Sequence, residues 1–258
     1  MKGVILAGGL GTRLRPLTDV TNKHLLPVWD KPMIYYPIEY LVKSGISEVL
    51  IVTGGSHAGD FLALLKNGEH FGLKKIEYAY QNGEGGIADA LKLAEGFAGS
   101  SPICVVLGDN VYQKAIPTAV DNFKLSGKKA AIFTQTADDY DNASRFGIAF
   151  CERSTQSIAY LEEKPHKTRI ADWCNWPGQS CHIVTGTYLY TPEVFKVCDT
   201  LEPSERNELE ITDVNRWFMR EDQLAMYSVD GWWVDAGTFS SLSRASRLVQ
   251  GEGANHAG

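Results

Sequence analysis

Between Leu6 and Arg15 the chain reads LAGGLGTRLR, and these residue types suit a cradle for an anion. Gly8, Gly9 and Gly11 let backbone N–H groups close on a phosphate, while Arg13 adds a permanent positive charge. Lys23 stands about ten residues further on, just before the apolar LLPV, where its ammonium can fold back onto the same anion. Two familiar phosphate loops do not fit. A dinucleotide fingerprint counted from Gly9 needs glycine at position 14, which is Leu14, and no Gly-Lys-Ser/Thr tripeptide follows the glycines. Two aspartates stand at the ends of apolar runs, Asp109 in VVLGDN and Asp235 in WWVDAGT. The carboxyl end of a buried parallel strand is where open α/β sheets bind ligands. Taken singly, each aspartate also reads as a turn or helix-cap residue.

The elements that must position these groups alternate through the first half. Strands are expected at 3–7, 48–54, 75–81 and 103–110, and helices at 33–45, 57–66, 86–97 and 117–126. Apolar strands alternating with amphipathic helices imply a mostly parallel sheet covered on both faces. After residue 130 the rhythm changes. Strands are expected at 130–136, 146–152, 157–163 and 182–190, helices near 192–199 and 208–220, two short strands within 224–237, and a closing helix over 238–250. Trp232 and Trp233, adjacent on a strand, must point to opposite faces, which sends at least one into the core. The expected architecture is an α/β Rossmann-like three-layer α/β/α sandwich with a mostly parallel central mixed sheet. It forms one domain over 1–250, with a nucleotide half at about 1–130, a second half at about 131–250, and 251–258 as a disordered tail.

Composition narrows the class. With 258 residues, 44% of them hydrophobic and 22% charged, the chain is long enough for one large soluble domain. A net charge of −6 argues against a nucleic-acid partner, which would need a basic face. No apolar run is long enough for a membrane span, and a strand starts at once, so neither a membrane nor a signal peptide is expected. The five cysteines are odd in number and lack a C-x-x-C pair, so free thiols in a reducing cytoplasm are expected rather than disulfides or zinc.

Taken together, LAGGLGTRLRPLT, NKHLLPVWDKPMIYYPIEYL, VLGDN, LEEKP, NELEITDVNR and WWVDAGT occur in an order and spacing that resembles the sugar-1-phosphate nucleotidylyltransferases over about residues 1–248. The likeness is strongest to the members using dTTP and glucose 1-phosphate. It implies the nucleotide-diphospho-sugar transferase fold and a reaction in which a sugar 1-phosphate and a nucleoside triphosphate give an NDP-sugar and pyrophosphate, with Mg2+. It further implies that Leu6, Ala7, Gly8, Gly9, Gly11, Thr12 and Arg13 hold the nucleotide, that Gln81 and Gly86 read its base, and that Asp109 and Asp235 hold the metal. Arg13, Lys23, Asp109, Lys164 and Asp235 become the catalytic set. Asn110, Gly147, Glu163, Lys164, Thr185 and Tyr188 are assigned to the sugar phosphate, with Arg145, Glu208 and Glu210 as weaker candidates. A homo-oligomer, dimer or tetramer, is also implied.

The chemistry agrees with the residue types. The nucleophile is already an anionic oxygen, so the catalyst must align two polyanions and neutralise charge, without a Ser-His-Asp set. Three departures from the family pattern stand out. Asn82, Gly83 and Glu84 replace a proline-rich turn, and Asp89 stands where those enzymes have glutamine, leaving thymine and uracil both open. The segment 166–183 is longer than usual and is expected as a lid or a subunit contact. The chain also stops soon after the closing helix, so no separate feedback site of the longer enzymes is expected. Two other readings fit the residues less well. A glycosyltransferase wants an Asp-x-Asp-like metal site, which GDN fits poorly, and a silent nucleotide-sugar sensor would not need all five catalytic residues.

Overall fold

The first apolar run forms β1 (Lys2–Ala7), whose side chains alternate between two cores, Ile5 and Ala7 on one face and Val4 and Leu6 on the other. A strand buried on both faces needs helices on both sides. The structure, a computed structural model, describes residues 1–154 and 157–256. After β1 come a small hairpin of β2 (Pro27–Val28) and β3 (Lys31–Pro32), then α1 (Tyr35–Lys43), β4 (Glu48–Gly54), α2 (Ala58–Leu65), β5 (Lys75–Gln81), α3 (Ile87–Lys92), α4 (Glu95–Ala98), β6 (Ile103–Leu107), β7 (Asn110–Tyr112) and α5 (Pro117–Ser126). The second half adds β8 (Ala130–Thr136), α6 (Tyr140–Ala143), β9 (Gly147–Glu152), β10 (Ser157–Glu163), α7 (Lys167–Cys174), β11 (Gln179–Tyr190), α8 (Glu193–Asp199), α9 (Ile211–Arg220), β12 (Leu224–Ser228), β13 (Trp233–Asp235) and α10 (Phe239–Glu252).

One nine-stranded sheet runs through both halves, in the order β10-β9-β11-β6-β1-β4-β5, with β8 also paired to β11 and β12 to β8. Its centre is parallel, with Leu6 opposite Val52 on one side and Leu107 on the other. Strand β11 then enters antiparallel to β6, β8 and β9, and its register shifts between Val184 and Tyr188. Ile38, Leu41, Phe61, Leu65 and Phe123 from α1, α2 and α5 fill the core on one face. Leu91, Phe97, Phe195, Val214 and Phe218 from α3, α4, α8 and α9 fill the other, giving three layers. Each of these side chains contributes roughly 1.5–3 kcal/mol by leaving water.

The ends of the elements depart from expectation where they meet the cavity described below. The strand expected over 103–110 stops at Leu107, the chain turns through Gly108 and Asp109 before β7, and only glycine fits at the turn, since a side chain on Gly108 would stand 2.8 Å from His24 Cδ2. The helix expected over 86–97 splits into α3 and α4. The helix expected from 208 begins at Ile211, since the Leu209 N–H donates to Gly85 O while Leu209 O accepts from the Ala88 N–H. Residues 253–256, expected to be disordered, are docked. Asn255 is fully buried and donates from Nδ2 to Tyr36 O at 2.9 Å, and His256 bridges to Lys114. Residues 257 and 258 lie outside the described residues. The expectation of five free thiols is also corrected: Cys174 at the end of α7 is bonded to Cys181 in β11, their Cα atoms 6.1 Å apart, while Cys104, Cys151 and Cys198 are free and buried. The helix turns the chain back onto the sheet edge, which brings the two together. Both Trp232 and Trp233 are buried, in different clusters, as opposite-pointing neighbours must be.

Candidate active site

A cavity of about 360 Å³ opens at the carboxyl ends of β1, β5 and β6 and extends to β9, β10, β11 and β13. The glycine loop forms one wall. Gly11 has φ +67°, and a side chain there would stand 2.8 Å from Lys23 Cβ and 2.9 Å from Thr18 Cγ2. Thr18 donates to Gly11 O at 2.9 Å, which closes the turn. Beside Gly9 lies the Lys23 side chain, and beside Gly8 lies Gln81 Oε1. The loop therefore spans the gap between a buried ammonium and an amide, the two groups that a nucleotide's phosphates and base would each require.

The centre of the site comes from a small antiparallel ladder. Strand β13 pairs with β7 so that Asp235 faces Asn110, and the Ala236 N–H donates to Asp109 O at 2.8 Å. A Cβ built on Gly237 would lie 2.8 Å from Asp235 Oδ1 and 3.6 Å from Asp109 Oδ2, so both carboxylates border one point. Arg13 Nη2 lies 3.0 Å from the same point. Lys23 Nζ donates to Asp109 Oδ2 at 2.5 Å, with both side chains largely buried. Burial alone would raise the Asp109 carboxyl, but the Lys23 charge, aided by the donated hydrogen bonds of Lys23 and Asn110, holds it well below the usual carboxylate range. For Asp235 the balance reverses. Burial and then the neighbouring Asp109 charge push its carboxyl up. Lys23 and Arg13 both act the other way on Asp235, but less strongly than its burial.

Asn110 holds this geometry. Its Oδ1 accepts from Gly186 N at 3.2 Å and from Trp233 Nε1 at 2.5 Å, and its Nδ2 donates to Asp109 Oδ1 at 2.9 Å. Asn110 Oδ1 already serves two donors, so Asn110 ties β11 and β13 to Asp109 and has at most one amide hydrogen left for a ligand. At the other end of the cavity, Gly147 on β9 faces Glu163 on β10. A side chain on Gly147 would stand 2.9 Å from Thr212 Oγ1, which itself donates to Glu163 Oε2 at 2.6 Å. Lys164 has φ +46° and its ammonium lies 3.4 Å from Glu163 Oε1.

Of the residues the resemblance assigns, Leu6, Gly8, Gly9, Arg13, Lys23 and Gln81 line the cavity, as do Gly86, Asp109, Asn110 and Asp235. So do Gly147, Glu163, Lys164, Thr185 and Tyr188, with Arg145, Glu208 and Glu210. Three assigned residues do not line it. Ala7 points into the core opposite Leu6, Gly11 turns toward Thr18, and Thr12 is exposed at the start of a short 3-10 turn. The segment 166–183 contributes no cavity residue. It forms α7 and the start of β11 against Phe150 and Tyr160 at the sheet edge, away from the cavity wall.

Two further residues carry no signal in the sequence. His24 is buried, takes Asn22 Oδ1 at its Nδ1 (2.7 Å), and stays a neutral imidazole because burial and then the Lys23 charge bring its pKa down to about 3. It backs the Gly108 turn that delivers Asp109. Arg206 contacts Glu210 Oε1 at 2.8 Å, Glu163 Oε1 at 3.3 Å and Glu208 Oε2 at 3.6 Å, gathering three carboxylates at the Glu163 end.

A family model described as nucleotidyl transferase matches residues 2–252. A glucose-1-phosphate thymidylyltransferase of Neisseria meningitidis is 38% identical over 256 residues, covering 97% of this chain and 83% of the relative. One from Mycobacterium tuberculosis is 37% identical over 255 residues, covering 97% and 82%. Among solved structures, a Bacillus anthracis protein provisionally named glucose-1-phosphate thymidylyltransferase, in complex with sucrose, superposes with a TM-score of 0.85 at 42% identity, covering 97% of this chain and 96% of that one. UDP-glucose pyrophosphorylase with UDP-glucose has a TM-score of 0.78 at 22% identity over 96% of this chain and 98% of that one, a likeness of fold.

Proposed function

Because this chain belongs to the nucleotidyl transferase family, we propose that it transfers a thymidylyl group from dTTP to glucose 1-phosphate, releasing pyrophosphate. One observation carries this reading. The buried Asp109–Asp235 pair borders Arg13 of the glycine loop and Lys23, and shares one cavity with Glu163 and Lys164. Two polyanions bound in that cavity would meet beside the carboxylate pair.

The glycine loop and Gln81 would hold the nucleotide, with Lys23 and Arg13 beside its phosphates. Lys164 would bind the sugar's phosphate and Glu163 would accept from its hydroxyls. The phosphate oxygen of the sugar attacks the α-phosphorus in line with the departing pyrophosphate. Being already ionised, it needs orientation more than a base, so these residues act by alignment and charge. The donor set fits Mg2+. Two carboxylates that border one point suit an ion that takes one or two protein ligands and completes its shell with phosphates and water. Among the described residues no cluster of three or more His, Cys, Asp or Glu offers a full protein cage. When bound, Mg2+ would supply charge neutralisation on the triphosphate, with Asp109 and Asp235 as its holders. The reading includes a homo-oligomer in the cytoplasm; the exposed Trp176 and Trp217 are candidate contact residues.

The test is pyrophosphate release from dTTP, UTP, CTP, ATP and GTP against a panel of sugar 1-phosphates, with and without Mg2+. The expected result is the fastest Mg2+-dependent release with dTTP and glucose 1-phosphate. No release from any pair overturns the reading.

A further inference from the structure

Gln81 at the end of β5 uses both hydrogens of its amide inside the protein. Nε2 donates to Asp89 Oδ2 at 2.9 Å and to Gly86 O at 3.2 Å. Both partners can only accept, so the amide has one possible orientation. Its Oε1 lies beside Gly8 in the cavity wall and takes no hydrogen bond from the described residues. The position of Asp89 is itself constrained: a side chain on Gly85 would stand 2.5 Å from Asp89 Oδ2, so the loop closes directly over the carboxylate.

We propose that Asp89 is a specificity-determining positioning residue, locking Gln81 as a pure hydrogen-bond acceptor so that the site selects a pyrimidine with a ring N3–H over cytosine. This rests on the nucleotidyl-transfer reading above. Thymine and uracil present a donor at N3 between two carbonyls, whereas cytosine presents a lone pair at N3. A glutamine free to turn can satisfy either base, because its amide carries a donor at one end and an acceptor at the other. A glutamine held by a carboxylate cannot turn, and cytosine N3 then meets an oxygen. A carboxylate is the strictest holder available, since an ionised Asp has no donor with which to bind the amide the other way round. Discrimination therefore comes from a residue that need not touch the nucleotide.

The experiment compares wild type, Asp89→Leu, Asp89→Ala and Asp89→Asn in steady-state pyrophosphate release with dTTP and with dCTP, resolving kcat and KM. Binding of each nucleotide alone is measured by calorimetry. In Asp89→Leu and Asp89→Ala only the longer bond to Gly86 O is left to orient the amide, and the dTTP:dCTP ratio of kcat/KM is expected to fall about tenfold, the worth of one misdirected hydrogen bond, with the change in KM. Asp89→Asn keeps an acceptor oxygen for Gln81 and is expected to hold the ratio within about threefold. An unmoved ratio in both the leucine and alanine variants, or an equal collapse in asparagine, overturns the proposal. A wild type that binds dTTP in preference to dCTP yet releases no pyrophosphate overturns the transfer reading and leaves the base selection standing.

Discussion

Replacing Lys23 with methionine keeps the length of the side chain and removes the ammonium that sits 2.5 Å from Asp109 Oδ2. The side chains of Lys23 and Asp109 are 12% and 8% exposed, so water cannot take over the role of the lost charge. Breaking a buried pair by deleting one partner costs about 3–5 kcal/mol, which for a chain of this size lowers Tm by on the order of 10 °C. The pH dependence gives the sharper test. In the wild type Asp109 ionises below its unfolded value, so its contribution is present above about pH 4 and is lost as acid protonates it. In the variant, burial, which raises the carboxyl, is left against one hydrogen bond from Asn110 beside a neutral His24, and the folded pKa is expected to move above the unfolded one. Asp109 then costs nothing below about pH 4 and destabilises increasingly as pH rises. The gap between wild type and Lys23→Met should therefore widen from about pH 4 to about pH 7.5. Calorimetric melts with EDTA present measure it. Adding Asp109→Asn to Lys23→Met should recover most of the loss, because no buried charge is left. A loss below about 1 kcal/mol at neutral pH, the scale of a surface pair, would refute the reasoning. So would an equal loss at both pH values, or a double variant no more stable than the single one.

Asp235→Asn is expected to lower Mg2+-dependent turnover by orders of magnitude at saturating substrates; near-normal pyrophosphate release would remove it from the mechanism. Asn110→Ala leaves the Trp233 indole and the Gly186 N–H without their acceptor, which costs about 1–3 kcal/mol for each buried donor in denaturant melts and frees Asp109 from its amide. Gly147→Ala drives a methyl to 2.9 Å from Thr212 Oγ1 and should raise KM for the sugar phosphate several-fold while leaving KM for dTTP nearly unchanged. At the surface, hydrogen bonds from Lys129 and Thr191 hold the Glu193 carboxyl down at about 2, against an ordinary 4.5. Its stabilising effect is thus present above pH 4.5 and fades toward pH 2, so the Tm deficit of Lys129→Met should shrink over that interval.

How far the site could be read in advance differs from one part to another. The glycine loop was legible because three glycines and an arginine lie within six residues, and close approach to an anion is a local property of the backbone. Asp109 and Asp235 were legible as strand-end carboxylates, and only the resemblance proposes a common role for them. Ala7, Gly11 and Thr12 belong to the motif yet fall outside the cavity, since contiguity along a chain says nothing about which side of a strand or turn faces a ligand. His24 and Arg206 were invisible for the opposite reason. Their importance lies in Gly108 and in the Glu163 cluster, which are distant in sequence. The docking of Asn255 against Tyr36 and the bonding of Cys174 to Cys181 likewise depend on how α10 and α7 turn back on the molecule.

What the amino-acid sequence determined by itself was the alternation of apolar strands and amphipathic helices, hence the layered sheet, and the inventory of cations, carboxylates and glycines at its edge. Those follow from periodicity and residue chemistry, which act over a few positions. Only the tertiary structure decided that β13 lies beside β7 with Asp235 opposite Asn110, that Lys23 folds onto Asp109, and that Asp89 grips Gln81. Strand partners and buried charge pairs are chosen by the burial of the whole sheet, and a shift of one residue in that ladder would turn a carboxylate away from the cavity.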